Sequence, residues 1–130
     1  MSNIATYLAN ELIDHFLRNS SYSPAATVYL GLFTSNPDDD WSGTECTGGS
    51  YARESVAFNA AGSRTTANTS DVTFTEATAS WGTVSHVGIL DALSGGNGLA
   101  FGAVTASKAV GSGDTAKVAA GELDFTFTAS

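Results

Sequence analysis

Four side chains of this sequence are of the types that carry nucleophilic or acid–base catalysis. They are the two histidines His15 and His86, the single cysteine Cys46, and Ser85 beside His86. A Cys–His or Ser–His pair activates a nucleophile because the imidazole accepts the proton that the thiol or hydroxyl loses. No nucleophile motif such as G-x-S-x-G surrounds these residues. We therefore expect partly buried or interface histidines and no catalytic residues.

Three consecutive carboxylates, Asp38-Asp39-Asp40, form the densest charge cluster of the chain and follow Asn36-Pro37. Calcium takes about six to eight oxygen ligands, which aspartate-rich loops can supply. The alternating aspartate spacing of known calcium loops is absent here, and adjacent aspartates point in divergent directions. The cluster therefore predicts a solvated turn, and we expect neither a metal nor another cofactor.

Three aromatic residues, Trp41, Trp81 and Tyr51, could stack on a sugar ring, which leaves carbohydrate binding open as an alternative. Aromatic residues at strand entrances more often cover a core. A glycoside hydrolase would need two carboxylates roughly 5–10 Å apart, and the sequence indicates no such pair. The glycine-rich segment 94–98 precedes no helix, so it predicts no phosphate cradle. The pattern therefore favours a protein that is not an enzyme.

The charge balance excludes one large class of partner. Thirteen acidic and five basic residues give a formal net charge of −8. Nucleic acid and anionic membrane are disfavoured, because phosphate binding needs clustered Lys and Arg and the basic residues here are scattered. Only 14% of the residues are charged, against roughly 25% in average soluble domains. Such a surface is typical both of extracellular β-proteins and of subunits that bury much of their area in an assembly.

The sequence predicts no disulfide, no membrane span and no secretion signal. A lone cysteine forms no internal disulfide, no run of about 18 apolar residues predicts a membrane span, and the N-terminus lacks the basic region of a secretion signal. At 130 residues the chain is expected to form a single domain, 1–130.

The one convincing helix is predicted over residues 3–18. Ile4, Leu8, Leu12 and Phe16 recur every four residues and form an apolar stripe. We expect this stripe to be buried on a sheet, on a neighbouring subunit, or on both.

The rest of the chain predicts strands. Residues 71–102 read as two apolar strands joined by a glycine turn at Ser94–Gly98, and we expect this hairpin at the centre of a sheet. The final segment, Leu123 to Thr128, has a clear alternation of apolar and polar residues. The predicted fold is mainly β, an antiparallel β-sandwich of about seven strands over residues 26–128, with one N-terminal amphipathic helix.

Several stretches resemble a family of small tailed-bacteriophage virion proteins, often labelled tail-fibre or Gp80-like proteins. The matching stretches are LANELIDHFLRN (8–19), ATVYLGLFTSNP (26–37), GGSYARESVAF (48–58), NTSDVTFTEATASWGTVSHVGILDALSGGN (68–97) and ASKAVGSGDTAKVAAGELDFTFT (106–128), of which EATASWGTVSHVGI is the most specific. The resemblance implies a structural component of a virion, assembled in the host cytoplasm, and it carries over no catalytic residue.

On these grounds we expect a capsid decoration (cement) protein, a homotrimer on the major capsid protein that stabilises the phage head. The alternative is a tail, baseplate or tail-fibre component that contacts tail proteins and has a receptor- or carbohydrate-binding role. In either case, uncharged surfaces pack against a partner without the cost of burying unpaired charge. The residues expected at the subunit interface are Leu8, Leu12, Phe16, Trp41 and Tyr51.

Overall fold

The computed structural model describes residues 3–127. The two-residue strand β1 (Asn3–Ile4) precedes the helix α1 (Thr6–Leu17), and the other strands of this part of the chain follow the helix. They are β2 (Val28–Phe33), β3 (Glu54–Val56), β4 (Thr65–Ala67), β5 (Val72–Thr73), β6 (Gly82–Leu90), β7 (Gly98–Val110), β8 (Lys117–Val118) and β9 (Asp124–Thr126).

Five strands form an antiparallel sheet in the order β1-β7-β6-β2-β3. Its centre is the β6–β7 hairpin, which confirms the hairpin predicted over residues 71–102. The Asp91 carboxylate closes the turn by accepting hydrogen bonds from the backbone N–H and side-chain amide of Asn97, at 2.7 and 3.1 Å. β7 is longer than predicted, and its residues 104–107 bulge between the pairs Val84–Lys108 and His86–Ala103.

The two faces of this sheet carry different side chains. Successive residues of a strand point to opposite faces, so the register puts the paired residues Leu32 and Val87 on one face and Phe33 and His86 on the other. Leu32 and Val87 belong to the main hydrophobic core. Phe33 is also buried but lies outside that core, in a smaller aromatic cluster with Trp41.

A second layer is built from two antiparallel ribbons, β4–β9 and β5–β8. Val72, Phe74 and Leu123 of this layer join the core cluster of the sheet. Buried Asn68 ties the ribbons together: its amide donates to the carbonyls of Ser70 and Ala119, and its Oδ1 accepts from the Leu123 N–H, at 2.9 to 3.0 Å. All of its polar atoms are therefore paired, as burial requires.

The prediction of a mainly β, antiparallel fold with one N-terminal helix is confirmed. From residue 26 to residue 127 the structure has eight strands, in agreement with the prediction of about seven, and the ninth, β1, precedes the helix. The strands β1, β5 and β8 have two residues each, which is too short for an alternating pattern to register. The last strand ends at Thr126 within the described residues, and Thr128 lies outside them.

The predicted start of the helix at residue 3 was wrong. Asn3 and Ile4 are extended and pair with Phe101 and Ala100 of β7, where they cover part of the exposed edge of the sheet. The helix begins at Thr6, whose N–H donates to the Asp39 carbonyl at 2.9 Å. Pairing with β7 therefore determines the conformation of Asn3 and Ile4, although Ile4 fits the apolar periodicity of the helix.

The predicted helical stripe is only partly covered by this chain, and its burial on a neighbouring subunit stays a prediction. Leu8 and Leu12 are half-buried, and Leu8 packs against the core. Phe16, four residues beyond Leu12, is 72% exposed. The last turn of α1 therefore extends beyond the surface that the sheet covers.

Candidate interaction surface

Of the residue types suited to catalysis, the structure brings together only the sequence neighbours Ser85 and His86 within residues 3–127. His15 lies at the exposed end of α1, where its ring nitrogen is 3.0 Å from the Ser20 carbonyl oxygen. The His86 ring is 2.8 Å from the Ser85 hydroxyl, on the sheet face opposite the core. Cys46 is buried within the core, so the sheet separates it from His86. Burial raises the pKa of the Cys46 thiol to about 11, which keeps the thiol protonated and unreactive.

The acidic loop uses its carboxylates to order its own backbone. Asp38 Oδ1 accepts from the Asp39 N–H at 3.0 Å, and Asp40 Oδ1 accepts from the Ser42 N–H at 3.1 Å. Over residues 3–127, no group of three or more His, Cys, Asp or Glu side chains is placed to hold a metal ion.

Trp41, an expected interface residue, packs on its own sheet. Its indole meets the rings of Phe33 and Phe101 edge-on, with centroids 5.5 and 6.1 Å apart. The ring occupies the space that Gly88 and Gly98 leave free, because a Cβ at Gly88 would lie 2.8 Å from it and one at Gly98 would overlap it. This packing favours a folding role for Trp41 over a role in partner binding.

Tyr51 and Trp81 likewise serve the core. Tyr51 stacks on Phe74 with centroids 6.3 Å apart and meets Trp81 edge-on at 5.2 Å. Trp81 is 3% exposed, and its Nε1 donates to the Gly49 carbonyl at 2.9 Å. Trp81 is therefore too buried to stack on a sugar, and one face of the Tyr51 ring is already occupied by Phe74.

A half-buried network that sequence reasoning missed connects the long loop to the central hairpin. The Arg53 guanidinium donates to both carboxylate oxygens of Glu45, at 2.9 and 2.8 Å. Its remaining terminal nitrogen donates to the carbonyls of Ala92 and Gly95, both at 2.8 Å. These bonds hold the turn of the β6–β7 hairpin against the loop that contains Glu45. The two-residue spacing of Tyr51 and Arg53 predicts that their side chains lie on one side of an extended segment, but nothing in the sequence points to Glu45 as their partner.

The Tyr51 hydroxyl completes this network. It donates to Glu45 at 2.6 Å and accepts from the Leu32 N–H at 3.0 Å. Burial, followed by the hydrogen bond to Glu45, raises the pKa of the Tyr51 phenol far above its ordinary value. The hydrogen bonds to Glu45 also raise the pKa of Arg53, so the guanidinium stays charged while Tyr51 stays neutral.

The end of α1 carries a cluster of exposed apolar side chains, which we call the α1 knob. It consists of Ile13, Phe16 and Leu17, which are 53%, 72% and 81% exposed. Their i, i+3 and i+4 spacing makes them neighbours on one side of the helix. Among the expected interface residues, Leu8 and Leu12 lead from the core to this knob and Phe16 lies within it.

An open cleft of about 720 Å³ lies between the second half of β7 and the segment 114–124, and we call it the β7 cleft. Its floor is formed by core residues, among them Leu32, Phe74 and Val87. Charged side chains line it as well: Lys108, Asp114, Lys117, Glu122 and Asp124.

No α-helix between residues 3 and 127 has the length and apolar character required to cross a membrane.

Comparison with known proteins identifies the family. Residues 3–126 match the family model Gp80, described as podophage GP4 fiber I protein gp80. A search of curated proteins gives no match. The family match spans nearly the whole chain and agrees with the resemblance found in the sequence, so this chain belongs to the Gp80 family of phage proteins.

Proposed function

We propose that this chain is a non-enzymatic structural subunit of the fibre apparatus of a tailed phage. The observation that carries the proposal is the match of residues 3–126 to a family described by a podophage fibre protein. That description favours the tail or tail-fibre alternative over capsid decoration, which was the first expectation from the sequence.

The arrangement of reactive groups supports a structural role. His15, Cys46 and His86 lie on separate elements, and the Cys46 thiol is buried and protonated. The polar network around Glu45 and Arg53 holds the turn of the β6–β7 hairpin against the long loop. The chain therefore contributes a stable scaffold and its surfaces.

The partners that we propose are further copies of this chain and neighbouring tail proteins of the virion. The α1 knob is the surface best suited to such contacts, because large apolar side chains in a solvated helix end favour burial against another subunit. A homotrimer remains our proposed assembly. The net charge of −8 argues against nucleic acid as a partner.

The test is the position of the protein on intact phage. Virions bound to gold-labelled Fab fragments against this chain are imaged by electron microscopy, with virions treated with an unrelated Fab as the control. Label confined to the tail and its fibres is the expected result. Label spread over the head would restore the decoration interpretation, and particles without label or protein would rule out a virion role.

A further inference from the structure

We propose that Asn97 is a site of spontaneous deamidation and that the turn of the β6–β7 hairpin controls the rate of the reaction. Deamidation converts the Asn97 side chain into a carboxylate without an enzyme, and water is the only co-reactant. The inference concerns the chemistry of the turn itself, so it goes beyond the proposed function and does not depend on it.

The Asn97–Gly98 dipeptide has the groups that this reaction needs. The backbone nitrogen of Gly98 attacks the side-chain carbonyl carbon of Asn97 and forms a succinimide ring, while the proton of that nitrogen and the amide group leave together as ammonia. Water then opens the ring at either carbonyl, which gives aspartate or isoaspartate. Glycine has no side chain to hinder the attack, whereas every other asparagine of this sequence precedes a residue with a side chain.

The closed turn restrains both reacting groups. The Asp91 carboxylate accepts hydrogen bonds from the backbone N–H and the side-chain amide of Asn97, at 2.7 and 3.1 Å. Gly98 is buried, pairs with Leu90 and lies against the Trp41 ring. The Asn97 side chain must turn toward the Gly98 nitrogen to react, so the hydrogen bond from its amide to Asp91 must break first.

The Arg53 guanidinium determines how often the turn opens. Its Nη1 donates to the carbonyls of Ala92 and Gly95, both at 2.8 Å, and its other nitrogens bind the Glu45 carboxylate. We call this arrangement the Arg53 clamp. The Asn97 side chain is exposed, so water reaches the succinimide ring as soon as it forms. Local opening of the turn is therefore the step that limits the reaction.

The product weakens the turn in which it forms. A carboxylate at position 97 can only accept hydrogen bonds, whereas the Asn97 amide donated one to Asp91. Two carboxylates this close disfavour each other's ionised form, so the closed turn loses stability. Isoaspartate also lengthens the main chain by a carbon atom, which displaces the start of β7 relative to β6. A deamidated chain therefore has a looser central hairpin than a newly made one.

The first experiment measures the reaction in the folded chain at mildly alkaline pH. Wild type, Arg53→Ala and Val72→Ala are incubated and digested, and mass spectrometry separates asparagine, aspartate and isoaspartate at position 97. Val72→Ala is the matched control, because Val72 is a buried core residue of the second layer and its truncation lowers global stability. If circular dichroism shows that Arg53→Ala is unfolded, Arg53→Lys replaces it, since an ammonium lacks the planar fork of the guanidinium.

We expect deamidation at position 97 to be much slower in the folded wild type than in the chain unfolded by urea. Arg53→Ala should deamidate at least about tenfold faster than the wild type, because two hydrogen bonds from a charged donor no longer hold the turn. Val72→Ala should deamidate at the wild-type rate. A wild-type rate in Arg53→Ala would overturn the inference, and so would equal acceleration by the two substitutions, which would assign the reaction to global unfolding.

The second experiment measures the effect of the product on the turn. Asn97→Asp introduces the carboxylate directly, so it should lower the melting temperature by several degrees and speed hydrogen exchange at residues 91–97. The double variant Asp91→Asn with Asn97→Asp exchanges the two groups and should recover most of the loss, because one donor and one charge are restored. A double variant that is no more stable than Asn97→Asp, or an Asn97→Asp variant as stable as the wild type, would refute the repulsion.

Discussion

The packing of Trp41 shows how single residues determine this fold. Trp41 has a positive φ of 59° and lies over two glycines of the central hairpin. Because the indole needs the space that a side chain at Gly98 would fill, the two positions depend on each other. The sequence predicted Trp41 as a partner contact, since a tryptophan in a long polar loop gives no sign of which surface it covers.

We expect Gly98→Ala to lower the free energy of unfolding by about 1–3 kcal/mol, the usual cost of overpacking. In a Trp41→Ala background, which itself should lose roughly 3 kcal/mol, the same change should cost close to nothing. Urea denaturation of the wild type, the two single variants and the double variant gives the coupling free energy between positions 41 and 98. Gly62→Ala is the control, because a Cβ there meets nothing within 4 Å. If Gly98→Ala lowered the free energy of unfolding equally in both backgrounds, contact with the Trp41 indole would not be the cause of the loss.

The buried thiol predicts a pH dependence of stability. Desolvation raises the pKa of Cys46 in the folded state from 9.0 to about 11. The unfolded chain loses the thiol proton at lower pH than the folded chain does. The contribution of the protonated Cys46 thiol to the free energy of unfolding is therefore fully present below about pH 9 and is lost between about pH 9 and 11. We expect denaturation midpoints to fall over this range, and to fall less steeply for Cys46→Ala, whatever its stability at pH 7. An unchanged slope in the variant would assign the effect to the tyrosines.

Among the elements, the central hairpin was predictable because its signals are local. The near-continuous apolar pattern from Val84 to Leu90 and the glycines of the turn predict both strands and their reversal. The start of α1 was not predictable from the sequence. Ile4 fits the apolar stripe of the helix, and only its pairing with Ala100 of β7 makes it a strand residue. The ribbons of the second layer depend likewise on partners far away in the sequence.

The Arg53 clamp is the element-scale feature most open to test. Arg53→Ala removes the two hydrogen bonds that tie the carbonyls of Ala92 and Gly95 to the long loop, and it leaves Glu45 without its cationic partner. We expect a loss of about 3 kcal/mol in unfolding free energy, typical of a disrupted desolvated pair. Hydrogen exchange should speed up at residues 91–97 before other parts of the sheet.

Arg18→Ala is the matched control, because its ion pair with Asp14 is exposed and should contribute little. Equal stability losses in the two variants would contradict the clamp.

For the whole molecule, the main feature is a contrast between two regions. The buried polar groups are hydrogen-bonded, whereas large apolar side chains at the end of α1 are exposed. Across residues 3–127, no buried side-chain nitrogen or oxygen atom lacks a hydrogen-bond partner. The apolar side chains at the end of α1, by contrast, remain 53% to 81% exposed in the folded chain. We therefore expect the isolated subunit to fold by itself and to gain further stability when the proposed assembly covers the α1 knob.

Phe16→Ser should therefore leave the isolated protein within about 0.5 kcal/mol of wild-type stability, because Phe16 is 72% exposed. It should also reduce the number of copies that enter virions, since the knob is the proposed contact. Leu93→Ser, at another exposed apolar position, should be incorporated normally. The two effects are read from melting curves and from quantitative mass spectrometry of phage grown with each variant. Normal incorporation of Phe16→Ser would exclude the knob as the assembly contact.

The central claim, that this chain is a fibre subunit of a virion, is tested most directly by its copy number in purified particles. Isotope-labelled peptides of this chain and of the major capsid protein give the ratio of the two in one digest. A fibre subunit is predicted to be present in every preparation at far fewer copies than the capsid protein. A copy number close to that of the capsid protein, or complete absence from purified particles, would contradict the claim.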